Sequence, residues 1–224
     1  MRKRILKYED TTVSCDIIFV VRGNSNFVGH RKLVKMYNCL NDGSHALQPK
    51  NDYECMFYAM LTNPNCKGYL FFAGDDKLLH MERVLQNERD RIWYGKRTNT
   101  KRFEVSFSNR HLFSSNEIAC CKDAFQDLAL LIHNGFNNYK KQLNSSWQKP
   151  WNAEIALNAL LWNGKGKFVC FYEDVEMFYV PVKYRKVFLG VASIFSKVKM
   201  PNVIAVPTIL KSLDLESTFI NISK

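Results

Sequence analysis

Leu47-Gln-Pro-Lys-Asn-Asp52-Tyr-Glu-Cys55-Met-Phe-Tyr-Ala-Met60 is the stretch around which the rest of the chain is arranged. Pro49 and Asn51 favour a turn, Asp52 suits a helix N-cap, and Cys55, Met56, Ala59 and Met60 recur at the spacing of one helix face. Cys55 thus falls in the first turn of a helix. The partial positive charge of a helix terminus lowers a thiol's pKa and favours the thiolate, which is the nucleophile. Such a cysteine is a candidate catalytic residue when a base can reach it. Without a base it is one more apolar packing group.

The 224 residues are 46% hydrophobic, enough for one large domain or two small ones. Lys and Arg outnumber Asp and Glu by 32 to 21, a net charge of +11 that favours an acidic partner such as nucleic acid, an anionic membrane or an acidic protein face. Only Met1-Arg-Lys-Arg4, Lys96-Arg97 and Lys183-Tyr-Arg-Lys186 are clustered. Cysteines at 15, 39, 55, 66, 120, 121 and 170 are odd in number and irregular in spacing, which argues against a disulfide framework and for an intracellular location, cytoplasmic or nuclear. No CxxC pair is present, so neither a metal nor another cofactor is expected. The polar Lys7-Tyr-Glu-Asp-Thr-Thr12 precedes any apolar run, leaving no secretory core, and no apolar stretch approaches the ~20 residues of a membrane span. Abundant Asn, Lys, Phe and Tyr suit a gene from an AT-rich or viral genome.

Along the chain, residues 13–21 read as a buried strand and His30 to Leu40 as a short helix. The helix after Asp52 is stopped by Thr62-Asn-Pro-Asn65. Residues 66–115 lack a sustained period beyond a helix at 77–92. Helices are expected over 116–143 and from Trp151 to Trp162, then a turn at Asn163-Gly-Lys-Gly-Lys167. Four strands follow: Phe168–Tyr172, Met177–Val182, Val187–Val191 and Val203–Val206. The expected class is α/β (α+β), with a mixed sheet drawn largely from the C-terminal third and packed by helices. The expected division is an N-terminal extension of strand and helix over 1–45, a domain over 46–210 with an insertion at about 66–115, and a tail over 211–224.

Asp52-Tyr-Glu-Cys55-Met-Phe57-Tyr-Ala59 resembles the nucleophile motif of the ovarian-tumour (OTU) cysteine deubiquitinases. Trp151-Asn-Ala-Glu154-Ile155-Ala-Leu-Asn-Ala159-Leu160 is similar to that family's tryptophan-then-Glu-Ile helix, and the strand Phe168–Tyr172 follows it as in the family. The resemblance implies a papain-type OTU-like fold with Asp52 and Cys55 at the catalytic position. It also implies a histidine at the start of a late strand, yet no histidine follows His133 and the corresponding place falls at Asn202. An amide has no useful proton affinity near neutral pH, so Asn202 cannot serve as a general base. What the resemblance implies is therefore a pseudoprotease that binds ubiquitin or another protein. An active deubiquitinase would have to recruit one of the upstream histidines, His30, His45, His80, His111 or His133.

A reading from a different class makes the chain a basic protein that binds RNA or single-stranded DNA. Trp147, Trp151 and Trp162, with the aromatics of 168–188, would stack on bases beside Lys183, Arg185 and Lys186. Candidate binding residues on these readings are Trp151, Glu154, Lys183, Arg185 and Lys186. Gly164-Lys-Gly-Lys167 lacks the length and context of a phosphate loop. Gly74-Asp75-Asp76, between apolar segments, is hairpin chemistry rather than a polymerase motif in a chain of this length.

Overall fold

The computed structural model describes residues 15–21, 34–38, 51–72, 87–96, 103–105, 113–134 and 153–222. Alternation of side chains builds its sheet. In β1 (Ile17–Val21), Ile18 and Val20 enter the main core while Ile17 and Phe19 enter a second cluster on the opposite face. β3 (Gly68–Phe72) repeats the pattern with Tyr69 and Phe71 against Leu70, and β7 (Val175–Pro181) with Phe178 and Val180 against Tyr179. β2 (Val34–Asn38), β4 (Trp93–Lys96) and β8 (Ile220–Asn221) complete a six-stranded mixed sheet of order β2-β1-β3-β7-β4-β8. β1 runs parallel to β2 and β3, β7 antiparallel to β3 and β4, and β8 parallel to β4. A separate ladder pairs β5 (Phe103–Val105) with β6 (Cys170–Tyr172), antiparallel.

Five helices are described: α1 (Asp52–Thr62), α2 (Ser115–Asn134), α3 (Ala153–Asn163), α4 (Arg185–Lys197) and α5 (Asn202–Leu213). α5 lies at their centre, packed against α1, α3, α4, β6 and β7, and every residue from Ile204 to Leu213 is buried. Pro207 sits inside it. A proline there supplies no N–H to the carbonyl four residues back, which is Val203. That carbonyl instead accepts the Glu173 N–H at 2.8 Å, so the interruption ties the β6–β7 turn to the helix.

The mixed α/β class is as expected, but several elements differ. Val187–Val191 and Val203–Val206 are not strands: they lie in α4 and α5. In α4 every residue from Val187 to Ala192 is buried, so a five-residue window shows an unbroken apolar run that a buried strand would share. In α5, Pro207 disfavours helix for the residue before it, yet burial on all sides overrides that preference. Within the expected helix His30–Leu40, residues 34–38 form β2, held in register with β1 from Ile17↔Val34 to Val21↔Asn38. Most of the expected helix at 77–92 lies outside the described residues, and 116–143 is described as helix to Asn134. The sheet is not drawn largely from the C-terminal third: the segments expected as N-terminal extension and insertion contribute two strands each and the tail one.

The expectation of unpaired cysteines is also overturned. Cys15 is bonded to Cys66 and Cys121 to Cys170, stapling the start of β1 to that of β3 and α2 to β6. Spacing along the chain concealed these pairs because each spans about fifty residues, 51 and 49. Among the described residues no helix is long and apolar enough to cross a membrane.

Candidate functional site

α1 begins one residue earlier than expected: Asn51, not Asp52, is the N-cap, and Asp52 is the first helical residue. The Glu54 carboxylate reaches back to accept the Asn51 backbone N–H at 3.2 Å, one half of a capping box. Its other oxygen accepts the Ser196 hydroxyl at 2.7 Å. The buried Tyr53 hydroxyl meets the Phe195 and Met200 carbonyls at 3.3 and 3.2 Å, and burial, with the Glu54 carboxylate adding to it, holds its pKa well above that of a free phenol. Asn202 Oδ1 accepts the Asp52 N–H at 2.9 Å. The first turn of α1 is therefore fastened to the corner between α4 and α5. Its free N–H groups, the usual means of holding an oxyanion, have protein acceptors at Asn51 and Asp52.

Cys55 sits in this turn, as expected, but not as a thiol. It is 1% exposed, belongs to the main core, and is disulfide-bonded. A disulfide sulfur has no proton to lose and no lone nucleophilic thiolate to offer. Asn202 does stand at the α1 N-terminus, but from the first turn of a helix rather than from a strand, and what it does there is cap. The side chains of the five histidines lie outside the described residues.

Of the candidate binding residues, Glu154 lies on α3, Arg185 and Lys186 on α4, and Lys183 just before α4. Trp151 lies outside the described residues. Glu154 is exposed in the first turn of α3. Arg185 Nε donates to the Met60 carbonyl at 2.8 Å, at the C-terminal end of α1, where a cation complements the helix dipole. That end is about 12 Å along the helix from Asp52, at 1.5 Å per residue. Lys183 is exposed and lies over the Tyr184 ring at 4.8 Å, and Lys186 is exposed beside it. Of the aromatics between 168 and 188, Phe171, Phe178, Tyr179 and Phe188 are core. Phe168, at 54% exposure, and Trp162, at 75%, face water.

One cluster had not been singled out in the sequence. Glu173, 1% exposed, pairs with Lys96 Nζ and, at 3.5 Å, with Lys211 Nζ; Lys211 also approaches Glu216 at 3.5 Å and lies over the Phe171 ring at 4.5 Å. The signal was a lysine inside the apolar run Ile209-Leu-Lys211-Ser-Leu213. Each charge is matched, which is the condition for burying it, and the cluster joins β4, the β6–β7 turn and the end of α5. Among the described residues no group of three His, Cys, Asp or Glu is placed to hold a metal ion.

Comparison with family models, with curated proteins and with solved structures finds no match to this chain.

Proposed function

We propose that this chain is a non-catalytic binding protein, OTU-like in the motif that opens α1 but without the protease chemistry. The observation that supports it is the state of Cys55: disulfide-bonded, buried, and set in a helix start whose first N–H groups are capped by Glu54 and Asn202. In this arrangement Asp52-Tyr-Glu-Cys55 is a joint between α1 and the α4–α5 corner. Ubiquitin is the partner that the OTU resemblance implies, and recognition of it rests on surface rather than on a thiol. The test combines ubiquitin carrying a C-terminal electrophile with a fluorogenic ubiquitin conjugate. The expected result is neither adduct nor turnover with the unreduced protein, whatever its affinity for ubiquitin. An adduct that Cys55→Ala abolishes would overturn the proposal.

A second reading, with single-stranded nucleic acid as partner, draws on a separate observation. Trp162 and Phe168 are held in water on either side of two exposed lysines, on a chain whose net charge is +11.

A further inference from the structure

Tryptophan is on average highly buried, yet Trp162 is the most exposed of the large apolar side chains among the described residues. It is the penultimate residue of α3, and the chain beyond it is tightly held. The N–H of Gly164 bonds to the Leu160 carbonyl at 2.8 Å, that of Gly166 to Leu161 at 2.8 Å, and that of Lys167 to Gly164 at 3.1 Å. Lys165 and Gly166 take the left-handed conformation, φ 53° and 82°. A Cβ on Gly164 would meet the Lys167 carbonyl oxygen at 2.1 Å, so only glycine fits. This turn exposes Lys165 and Lys167 and leads to Phe168, whose ring rests against Phe125 with centroids 5.7 Å apart.

Within residues 162–168 there are two exposed rings, two cations and no acidic side chain. Asn163 bonds to the backbones of Asp214 and Glu216, whose carboxylates are engaged elsewhere, Asp214 by the Tyr184 hydroxyl and Glu216 by Lys211. Lysines after a helix C-terminus also complement the helix dipole, which accounts for the cations but not for the rings. An anionic membrane would favour a continuous apolar stripe. Here Ile155 and Trp162, seven residues apart on one stripe, are separated by the exposed Asn158.

We propose that the 162–168 turn is a docking site for single-stranded nucleic acid, with bases stacked on Trp162 and Phe168 and phosphates at Lys165 and Lys167. Two exposed rings flanking a pair of cations on a preorganised turn put base-stacking faces and phosphate partners in one short segment, the combination by which single strands are held without sequence preference. The inference deepens the second reading above and takes from the first only that no reaction follows binding.

The experiment is fluorescence anisotropy of a labelled oligothymidylate with the full chain, titrated over a range of salt, for wild type, Trp162→Ala, Trp162→Phe, Phe168→Ala and the double variant Lys165→Ala/Lys167→Ala. Loss of either ring is expected to weaken binding about tenfold or more, with Trp162→Phe recovering most of it. The lysine pair is expected to lower the slope of log K against log salt by about 1.4, two phosphate contacts on a single strand. Thermal melts of the Trp162 and lysine variants should match wild type, because those side chains are exposed, whereas Phe168→Ala gives up its contact with Phe125 and should melt somewhat lower. The proposal fails if wild type does not bind at low salt, if none of the variants weakens binding, or if Trp162 instead governs partition onto phosphatidylserine vesicles. None of those failures would alter the ubiquitin-probe result.

Discussion

Asn202 shows most directly what one side chain does here. Its amide oxygen takes the Asp52 N–H, one of the donors that a helix start leaves without an intrahelical partner, across a separation of 150 residues. Asn202→Ala is expected to lower stability by about 1 kcal/mol, in the range found for lost helix caps, read as a lower midpoint of urea unfolding at constant slope. An unchanged midpoint would mean that water replaces Asn202 without cost. The expectation that set Asn202 opposite the start of α1 assumed two late strands that are in fact helices, and periodicity in the sequence carried no sign of the bond to Asp52. What the residues could not disclose was the oxidation state of Cys55, because pairing depends on which distant sulfur the fold delivers. Cys120 is the contrast. Its thiol stays free against the Val198 carbonyl at 3.1 Å, and burial, with Asp123 adding to it, pushes its pKa up and away from reactivity.

At the scale of elements, legibility followed length and context. α1 and α3 were readable because eleven residues contain enough of a 3.6-residue period, with Asn and Gly at their ends. α4 and α5 were misread because β-branched runs of four or five residues look alike in a buried helix and a buried strand. β2 was misread because a helical spacing of apolar residues gave way to pairing with β1. Close packing between β3 and β7 gives a sharp test. Tyr179 lies over Gly68, where a Cβ would fall 2.1 Å from its hydroxyl oxygen, while its ring stacks on Trp93 at 4.1 Å and its hydroxyl donates to the Arg89 carbonyl at 3.0 Å. Gly68→Ala must therefore displace a ring held on two sides. The expected cost is about 1–3 kcal/mol, as for other overpacked cores, measured by chemical denaturation. A neutral result would show that Tyr179 has room to move.

Among the described residues the main sheet is gathered from nearly the full length of the chain, with helices on one face and the Trp93–Tyr179 cluster on the other. That organisation was not visible in the sequence, because strand neighbours such as β3 and β7 are more than a hundred residues apart. It buries several phenols, and burial pushes Tyr69 and Tyr179 from 10.0 up to about 12. A raised acid pKa in the folded state means that the fold favours the protonated form. The stability this contributes is complete below pH 10 and is lost as pH rises through about 12. Alkaline titration followed at 295 nm should show these tyrosinates appearing together with loss of near-ultraviolet circular dichroism. Their ionisation near pH 10 with the fold intact would contradict the burial described.

On the function proposed above, Cys55 is part of the architecture and takes no part in chemistry. The most direct measurement is peptide mass spectrometry of protein purified without reductant, alkylated in denaturant first before and then after reduction. The account predicts that Cys120 takes up the first label and Cys55 only the second. A Cys55 that carries the first label would be a thiol after all, and the non-catalytic reading would fall with it.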